Sequence, residues 1–140
     1  MAMGVTEKLA AHAFSVRYED MPQEVIEKAK DCLLDQIGVE LIGSTLDWNK
    51  IDYRYVVEMG GRAESTIVNY GTKAPALDVA FVNATFGQGC ELDDVGFGAG
   101  GHLSAATVPV GLALSEKERA SDVKLVSTPQ RPPRVGVPVW

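Results

Sequence analysis

The chain is poor in cysteine and histidine, and its basic side chains are outnumbered by acidic ones. Its 140 residues include two cysteines and two histidines, with 19 acidic and 13 basic side chains. Two cysteines cannot form a disulfide framework, so we expect Cys32 and Cys90 to be small buried hydrophobes in a reducing compartment. The net charge of −6 argues against a nucleic-acid binder, because neutralising phosphates requires a basic surface.

Long apolar runs and a secretory leader are missing as well. No apolar run approaches the roughly 20 residues that span a bilayer, and the N-terminus lacks the charged-then-apolar pattern of a signal peptide. We therefore expect no membrane partner and a cytoplasmic location, or the mitochondrial matrix if the source is eukaryotic. The length and the hydrophobic content of 46% fit one globular domain.

Helical periodicity dominates most of the chain. Apolar residues recur at steps of three and four, which predicts helices over residues 6–16, 22–41, 47–59, 74–86 and 105–114. The side chains that we expect to face the core are Leu9, Ala10, Ala13 and Phe14 in the first helix, Ile26, Ala29, Leu33, Ile37 and Leu41 in the second, with Val25, Cys32, Leu34 and Ile42 widening that face, Ile51, Tyr55 and Met59 in the third, and Leu77, Ala80, Phe81 and Ala84 in the fourth.

Two segments depart from this helical pattern. Residues 64–70 have strand-like composition, and Gly71 closes them, so the predicted fold class is all-α with at most one short strand or hairpin. Residues 117–140 hold four of the seven prolines and five basic against two acidic side chains, which is +3 and leaves −9 on residues 1–116. We expect residues 117–140 to be a poorly ordered tail.

Three carboxylates and a histidine flank a glycine-rich turn within twelve positions. Glu91, Asp93 and Asp94 precede the turn, and His102 follows it. Packing gives no reason to bring like charges together, because each carboxylate costs free energy when it leaves water unpaired. The cluster is either a solvated acidic loop or an acid–base site in which a carboxylate orients the imidazole.

The residues of the same segment give less support to a nucleotide site or a metal site than to an acid–base site. The letters Gly96-x-Gly98-x-x-Gly101 satisfy a dinucleotide fingerprint, but Glu-Leu-Asp-Asp precedes them where a hydrophobic strand is required. A phosphate-binding loop would end in Lys-Ser or Lys-Thr, which is absent. The acids do not follow the alternating spacing of a calcium loop, and a single histidine argues against zinc.

Several motifs occur in an order that is typical of one family. They are Leu-Asp-Gln-Ile-Gly-Val at residues 34–39 with Gly43-Ser44, Ala-Phe-Val-Asn-Ala-Thr at 80–85, Glu-Leu-Asp-Asp at 91–94, and His102-x-Ser104 followed by Val108-Pro109 and Ala113-Leu114-x-Glu116. Over residues 5–116 the sequence resembles the N-terminal part of the MmgE/PrpD family. That family includes 2-methylcitrate dehydratase, cis-aconitate decarboxylase and iminodisuccinate epimerase.

The resemblance implies a fold and a reaction type. Its fold is a largely helical domain, joined in full-length members to a smaller α/β domain, and its members are usually homodimers. They act on di- or tricarboxylic acids without a metal or organic cofactor. They abstract a proton next to a carboxylate and then lose water, lose CO₂ or return the proton to the other face. The implied function is a lyase or isomerase, such as a 2-methylcitrate dehydratase.

The resemblance also implies roles for individual residues. The family's Asp-x-Asp-Asp-Thr motif falls on residues 91–95, with valine in place of the threonine, and leucine follows the histidine where the family has proline. His102 would transfer the proton or orient the substrate, with Glu91 and Asp94 as its catalytic partners. Asp93 and Ser104 would bind substrate.

Finally, the resemblance implies that this sequence is truncated. Family members continue for hundreds of residues, including a further histidine and the lysines that would bind substrate carboxylates. We expect residues 1–116 to be the N-terminal portion of the helical domain, residues 117–140 to be a tail foreign to the family, and the chain alone to be inactive. The alternative from another class is a non-catalytic helical fragment that self-associates. The motifs do not distinguish dehydration, decarboxylation and epimerisation.

Overall fold

Residues 3–96 and 101–120 are described by the computed structural model, and they form helices with one short hairpin. In chain order the elements are α1 (Val5–Ser15), a 3₁₀ turn (Tyr18–Asp20), α2 (Gln23–Gly43), α3 (Asn49–Met59), β1 (Ser65–Thr66), β2 (Lys73–Ala74), α4 (Ala76–Gln88) and α5 (Leu103–Lys117). The predicted mostly helical fold with one hairpin is confirmed, and each predicted helix lies within three residues of the observed one. The predicted tail lies outside the described residues from residue 121 onward.

The helix ends follow local sequence chemistry. The carboxylate of Glu7 accepts the backbone N–H of Gly4 at 2.8 Å and so satisfies one free donor at the start of α1. Gly60 ends α3 with a φ of 66°, a left-handed conformation that glycine adopts without strain. None of the helices in the described part of the chain is long and apolar enough to cross a membrane.

Helix α4 is the centre of the hydrophobic core. It packs against α2, α3 and α5, and the side chain of Phe86 near its C-terminal end is fully buried. The hairpin contributes Ile67 to the same cluster, and α5 contributes Ala113. Because α4 leads directly into the acidic segment, the core fixes the point from which that segment departs.

The buried faces of the helices differ from the predicted ones. On α2, Ile26 is buried as expected, but Leu41 is 44% exposed, and on α4 Leu77 is 85% exposed. Of the remaining predicted core residues, Ala80 is buried, Ala13, Ala29, Leu33, Ile37 and Ala84 are half-buried, and Leu9, Ala10, Phe14, Val25, Leu34, Ile42, Ile51, Tyr55, Met59 and Phe81 are exposed. The cysteines are also only half-buried, so the burial prediction for Cys32 and Cys90 is wrong in degree.

Close approach of two backbones explains which faces of α2 and α4 meet. A Cβ atom on Gly43 would lie 1.8 Å from the carbonyl oxygen of Phe86, and one on Gly87 would lie 1.9 Å from Nε2 of Gln36. Two helices that approach this closely must meet at glycines, and the large apolar side chains therefore point elsewhere. The residues that α2 buries are Ile26, Gln36, Val39, Glu40 and Gly43.

The hairpin holds the far end of α5. β1 and β2 are antiparallel, and Ser65 lies opposite Ala74. The carboxylate of Glu116 on α5 accepts hydrogen bonds from the backbone N–H of Thr66 at 2.7 Å and from its hydroxyl at 2.6 Å, and it pairs with Lys73 at 2.7 Å. Burial acts to raise the pKa of Glu116, but these donors outweigh it and lower the pKa. The contacts fix the position of the helix that begins beside His102.

Candidate active site

The junction of α2 and α3 holds the start of the acidic segment. The indole Nε1 of Trp48 donates to the carbonyl oxygen of Gly89 at 3.2 Å. The side chain of Asn49 donates to the carbonyl oxygen of Gly43 at 2.9 Å, and a Cβ atom on Gly89 would lie 2.1 Å from its Nδ2. A side chain at position 89 would displace the Asn49 side chain, and the contacts of Trp48 and Asn49 fix the point at which the chain leaves α4.

A backbone bridge closes the glycine-rich turn. The N–H of Gly96 donates to the carbonyl oxygen of Gly101 at 2.9 Å, and the two residues form an isolated antiparallel pair. Residues 97–100, which include Gly98, lie outside the described residues. The bridge brings the residue after the turn, His102, back beside the acids that precede it.

The carboxylate that contacts the imidazole is that of Asp93. Its Oδ2 lies 3.1 Å from Nδ1 of His102, which is an ion-pair distance, although the atoms are not aligned for a hydrogen bond. The side chain of Asp93 is fully buried, whereas 35% of the imidazole surface is exposed. A buried carboxylate on one side of a partly exposed imidazole favours a proton on Nδ1 and leaves Nε2 to meet a ligand.

Asp94 and Ser104 are engaged with each other. Oδ1 of Asp94 accepts the backbone N–H of Ser104 at 3.0 Å, and Oδ2 accepts its hydroxyl at 2.8 Å. Ser104 is in the first turn of α5, so Asp94 satisfies a free donor there and places a negative charge at the positive end of the helix dipole. Asp94, which was predicted to contact the imidazole, instead caps the start of α5. Asp93, which was predicted to bind substrate, lies beside the imidazole. The catalytic and binding roles of all five residues stay predictions.

Replacing Asp94 with alanine is expected to lower the free energy of unfolding by about 1–2 kcal/mol, because the Ser104 amide and hydroxyl both lose their acceptor. Urea denaturation measures the change. The matched control is Glu91→Gln, which alters an exposed carboxylate in the same segment and should stay within about 0.5 kcal/mol of the parent chain. Equal losses in the two variants would contradict the helix-capping role.

Glu91 stands apart from the other acids. It is exposed, its φ is 51°, and its N–H donates to the carbonyl oxygen of Gln88 at 3.1 Å. A residue with a side chain pays roughly 1 kcal/mol or more for this left-handed conformation. The turn nevertheless presents a carboxylate to solvent just past the end of α4.

The sequence patterns did not predict that one acid, Glu40, is buried. Glu40 on α2 is fully buried, and burial raises its pKa to about 7 although a hydrogen bond from Gln36 opposes the shift. The feature of the sequence that could have indicated its burial is its place between Val39 and Leu41, four residues after a glutamine. Charged residues inside an apolar helix face are rarely buried without a partner, so periodicity alone assigns such a residue to the surface.

No three His, Cys, Asp or Glu side chains converge in a way that would hold a metal ion within residues 3–96 and 101–120. The expectation of a reaction without a metal or a cofactor stays a prediction.

Comparison with known proteins decides the family. The model of the MmgE/PrpD N-terminal domain matches residues 7–128. The chain belongs to the MmgE/PrpD family. This confirms the resemblance that the ordered motifs indicated.

The curated relatives within this family are distant and much longer. A cis-aconitate decarboxylase of Aspergillus terreus is 28% identical over 113 residues, which are 81% of this chain and 23% of the relative. A cis-aconitate decarboxylase of Homo sapiens is 27% identical over 117 residues, covering 83% and 24%. A cis-aconitate decarboxylase-like protein of Aspergillus oryzae is 26% identical over 122 residues, covering 87% and 25%. The chain therefore spans about a quarter of the length of these relatives.

Proposed function

We propose that the chain carries part of the active site of a lyase or isomerase that acts on a di- or tricarboxylic acid, with His102 moving the proton. The observation that supports this most directly is the partly exposed imidazole against the buried carboxylate of Asp93, in a chain of the MmgE/PrpD family. The decarboxylases among its relatives favour lyase chemistry and make cis-aconitate the first substrate to test.

The proposed chemistry follows from the two sides of the ring. With a proton on Nδ1 beside Asp93, Nε2 of His102 is free to take a proton from the carbon next to a substrate carboxylate. In a dehydration, the electron pair of that C–H bond forms the alkene and the neighbouring hydroxyl leaves with a proton as water. In a decarboxylation the ring must first carry a proton on both nitrogens; a C–C bond then breaks, CO₂ leaves, and this imidazolium donates the proton that the carbon takes up. In an epimerisation the carbon is reprotonated on its other face.

Two other side chains, one acid and one hydroxyl, could contact the substrate without touching the ring. The exposed carboxylate of Glu91 is placed to accept a hydrogen bond from a substrate hydroxyl or a protonated carboxyl group. The hydroxyl of Ser104 would reach substrate only by leaving Asp94. Because residues 1–116 carry −9, cationic groups from a longer polypeptide or a second subunit would have to hold the substrate carboxylates.

The direct test is an assay of the purified chain with cis-aconitate and with 2-methylcitrate, following alkene absorbance and the products by NMR. We expect the chain alone to be inactive and, once a separately expressed C-terminal part of a relative is added, turnover that falls by about 100-fold or more in His102→Gln, because the proton acceptor is lost. His12→Gln is the matched control, since this second histidine is exposed on α1. Measurable turnover that is equal for the parent chain and His102→Gln, each with the added C-terminal part, would contradict the proposal.

A non-catalytic fragment that self-associates is the second candidate. It is favoured by large apolar side chains that stay exposed on each of the described α-helices, such as Leu34 at 74%, Met59 at 67% and Leu77 at 85%. Analytical ultracentrifugation and the same assay separate the candidates. Association without turnover, unrestored by a separately expressed C-terminal part of a relative, supports the fragment, whereas a monomer that turns over substrate contradicts it.

A further inference from the structure

The contact between α2 and α4 encloses a carboxyl group. Gln36 and Glu40 are both fully buried, and Nε2 of Gln36 donates to Oε1 of Glu40 at 3.3 Å. Among the described residues, Oε2 of Glu40 and Oε1 of Gln36 have no hydrogen-bond partner. An ionised carboxylate whose oxygen is buried without a hydrogen-bond partner has a large desolvation cost. A neutral carboxylic acid largely avoids this cost.

The backbone of α4 closes this site from the opposite side. Gly87 faces Gln36 so closely that a Cβ atom would lie 1.9 Å from Nε2, and Gly43, about two turns after Gln36 on α2, meets the backbone of Phe86. The enclosed pair therefore sits where the two helices are nearest. Any change that attracts water to Glu40 must push the helices apart.

Charged neighbours do not account for the state of Glu40. Its pKa is raised to about 7 by burial and opposed only by the hydrogen bond from Gln36. Helix α2 packs mainly against α4 and α5. The ionisable groups on those elements and on adjacent turns of α2 are Asp78 on α4, His102, Glu116 and Lys117 along α5, and Asp31, Cys32 and Asp35 on α2.

The same end of α2 supports the candidate active site. Gly43, one turn after Glu40, accepts the hydrogen bond from Asn49, whose side chain abuts Gly89. Trp48 holds the carbonyl oxygen of Gly89. Movement of α2 relative to α4 therefore reaches the start of the acidic segment through Asn49, which contacts both Gly43 and Gly89, and through its neighbour Trp48.

We propose that Glu40 is a proton-dependent latch: as a neutral acid it keeps α2 packed on α4, and loss of its proton loosens this contact together with residues 89–94. The inference does not rest on the proposed function, because it concerns the stability of the helix contact and not turnover.

The direction of the pH effect follows from the two states of Glu40. The carboxyl group has a pKa of about 7 when folded, against 4.5 for an ordinary glutamate, so the folded chain keeps a proton that the unfolded chain releases between these values. The contribution of Glu40 to the free energy of unfolding is therefore greatest below pH 4.5, decreases as the pH rises from 4.5 to about 7, and changes no further above that pH. Between pH 5 and pH 8 the unfolding equilibrium constant should rise roughly 50- to 100-fold from Glu40 alone.

Urea denaturation at pH 5 and pH 8 tests the latch. The ratio of the two unfolding constants should fall by roughly 50-fold in Glu40→Gln, which keeps the shape but cannot ionise. It should be unchanged in Asp35→Asn, an exposed position on the same helix. The same ratio in the parent chain and Glu40→Gln overturns the proposal. If Glu40→Gln does not fold, the side-chain ¹³C carboxyl resonances of the parent chain decide: no glutamate midpoint near 7 overturns the proposal.

The indole N–H resonance of Trp48 tests whether the protonation of Glu40 affects residues 89–94, because this N–H donates to Gly89. A Trp140→Phe variant assigns it, because the chain has two tryptophans. We expect the resonance to shift with the midpoint of Glu40 in the parent chain and to lose that transition in Glu40→Gln. A resonance that stays fixed while Glu40 titrates overturns the coupling to residues 89–94.

Discussion

Replacing Gly43 with alanine is expected to lower the free energy of unfolding by about 3 kcal/mol or more. The added Cβ would lie 1.8 Å from the carbonyl oxygen of Phe86 and 2.7 Å from its carbonyl carbon. Both atoms belong to the backbone of α4, so no side-chain rotation relieves the clash and the two helices must separate. A loss of this size is a large fraction of the total stability of a small domain.

The matched control for this variant lies on the same helix. Gly38 also belongs to α2, but a Cβ atom there would meet nothing within 4 Å. Gly38→Ala should therefore stabilise the chain by about 0.5–1 kcal/mol, because alanine loses less backbone freedom on folding. Urea or thermal denaturation followed by circular dichroism measures both variants. Similar stability of the two variants would show that α2 and α4 do not approach as closely as described.

This helix contact also shows why the sequence predicted the helices but not their orientation. Periodicity reveals where a helix runs, and every predicted helix is present. It cannot reveal which face is buried when apolar residues occur on several faces, as on α2, where Val25, Leu34, Leu41 and Ile42 are all exposed. The contacts that determine the orientation of α2 and α4 are made by Gly43 and Gly87. Glycine counts as neither apolar nor polar in a periodicity pattern, so the pattern does not reveal these contacts.

The candidate site was predictable in composition but not in pairing. The spacing of the acids and His102 around a glycine turn indicated that an imidazole would meet a carboxylate. In the structure Asp93 contacts the imidazole of His102, whereas Asp94 contacts Ser104. Which of the two faces His102 depends on the path of the turn and the position of α5, and both are set by tertiary contacts that no local pattern encodes.

Because Asp93 is the carboxylate beside His102, Asp93→Asn is expected to impair the proposed chemistry without removing the imidazole. Asparagine keeps the size of the side chain but removes the negative charge that favours a proton on Nδ1 of the imidazole. We expect kcat for the proposed proton transfer to fall by about 10²- to 10⁴-fold, since the ring would then present the wrong nitrogen to substrate.

The tautomer of His102 tests this role even if turnover is slow. Imidazole ¹⁵N chemical shifts should show a proton on Nδ1 in the parent chain and a shift toward Nε2 in Asp93→Asn, with exposed His12 as the internal reference. Asp94→Asn is the control: its carboxylate serves Ser104, so this change should reduce stability and leave the His102 tautomer as it was. If Asp93→Asn alters stability alone, with kcat and the tautomer both unchanged, Asp93 is a buried structural acid and the proton-transfer role of the pair is lost.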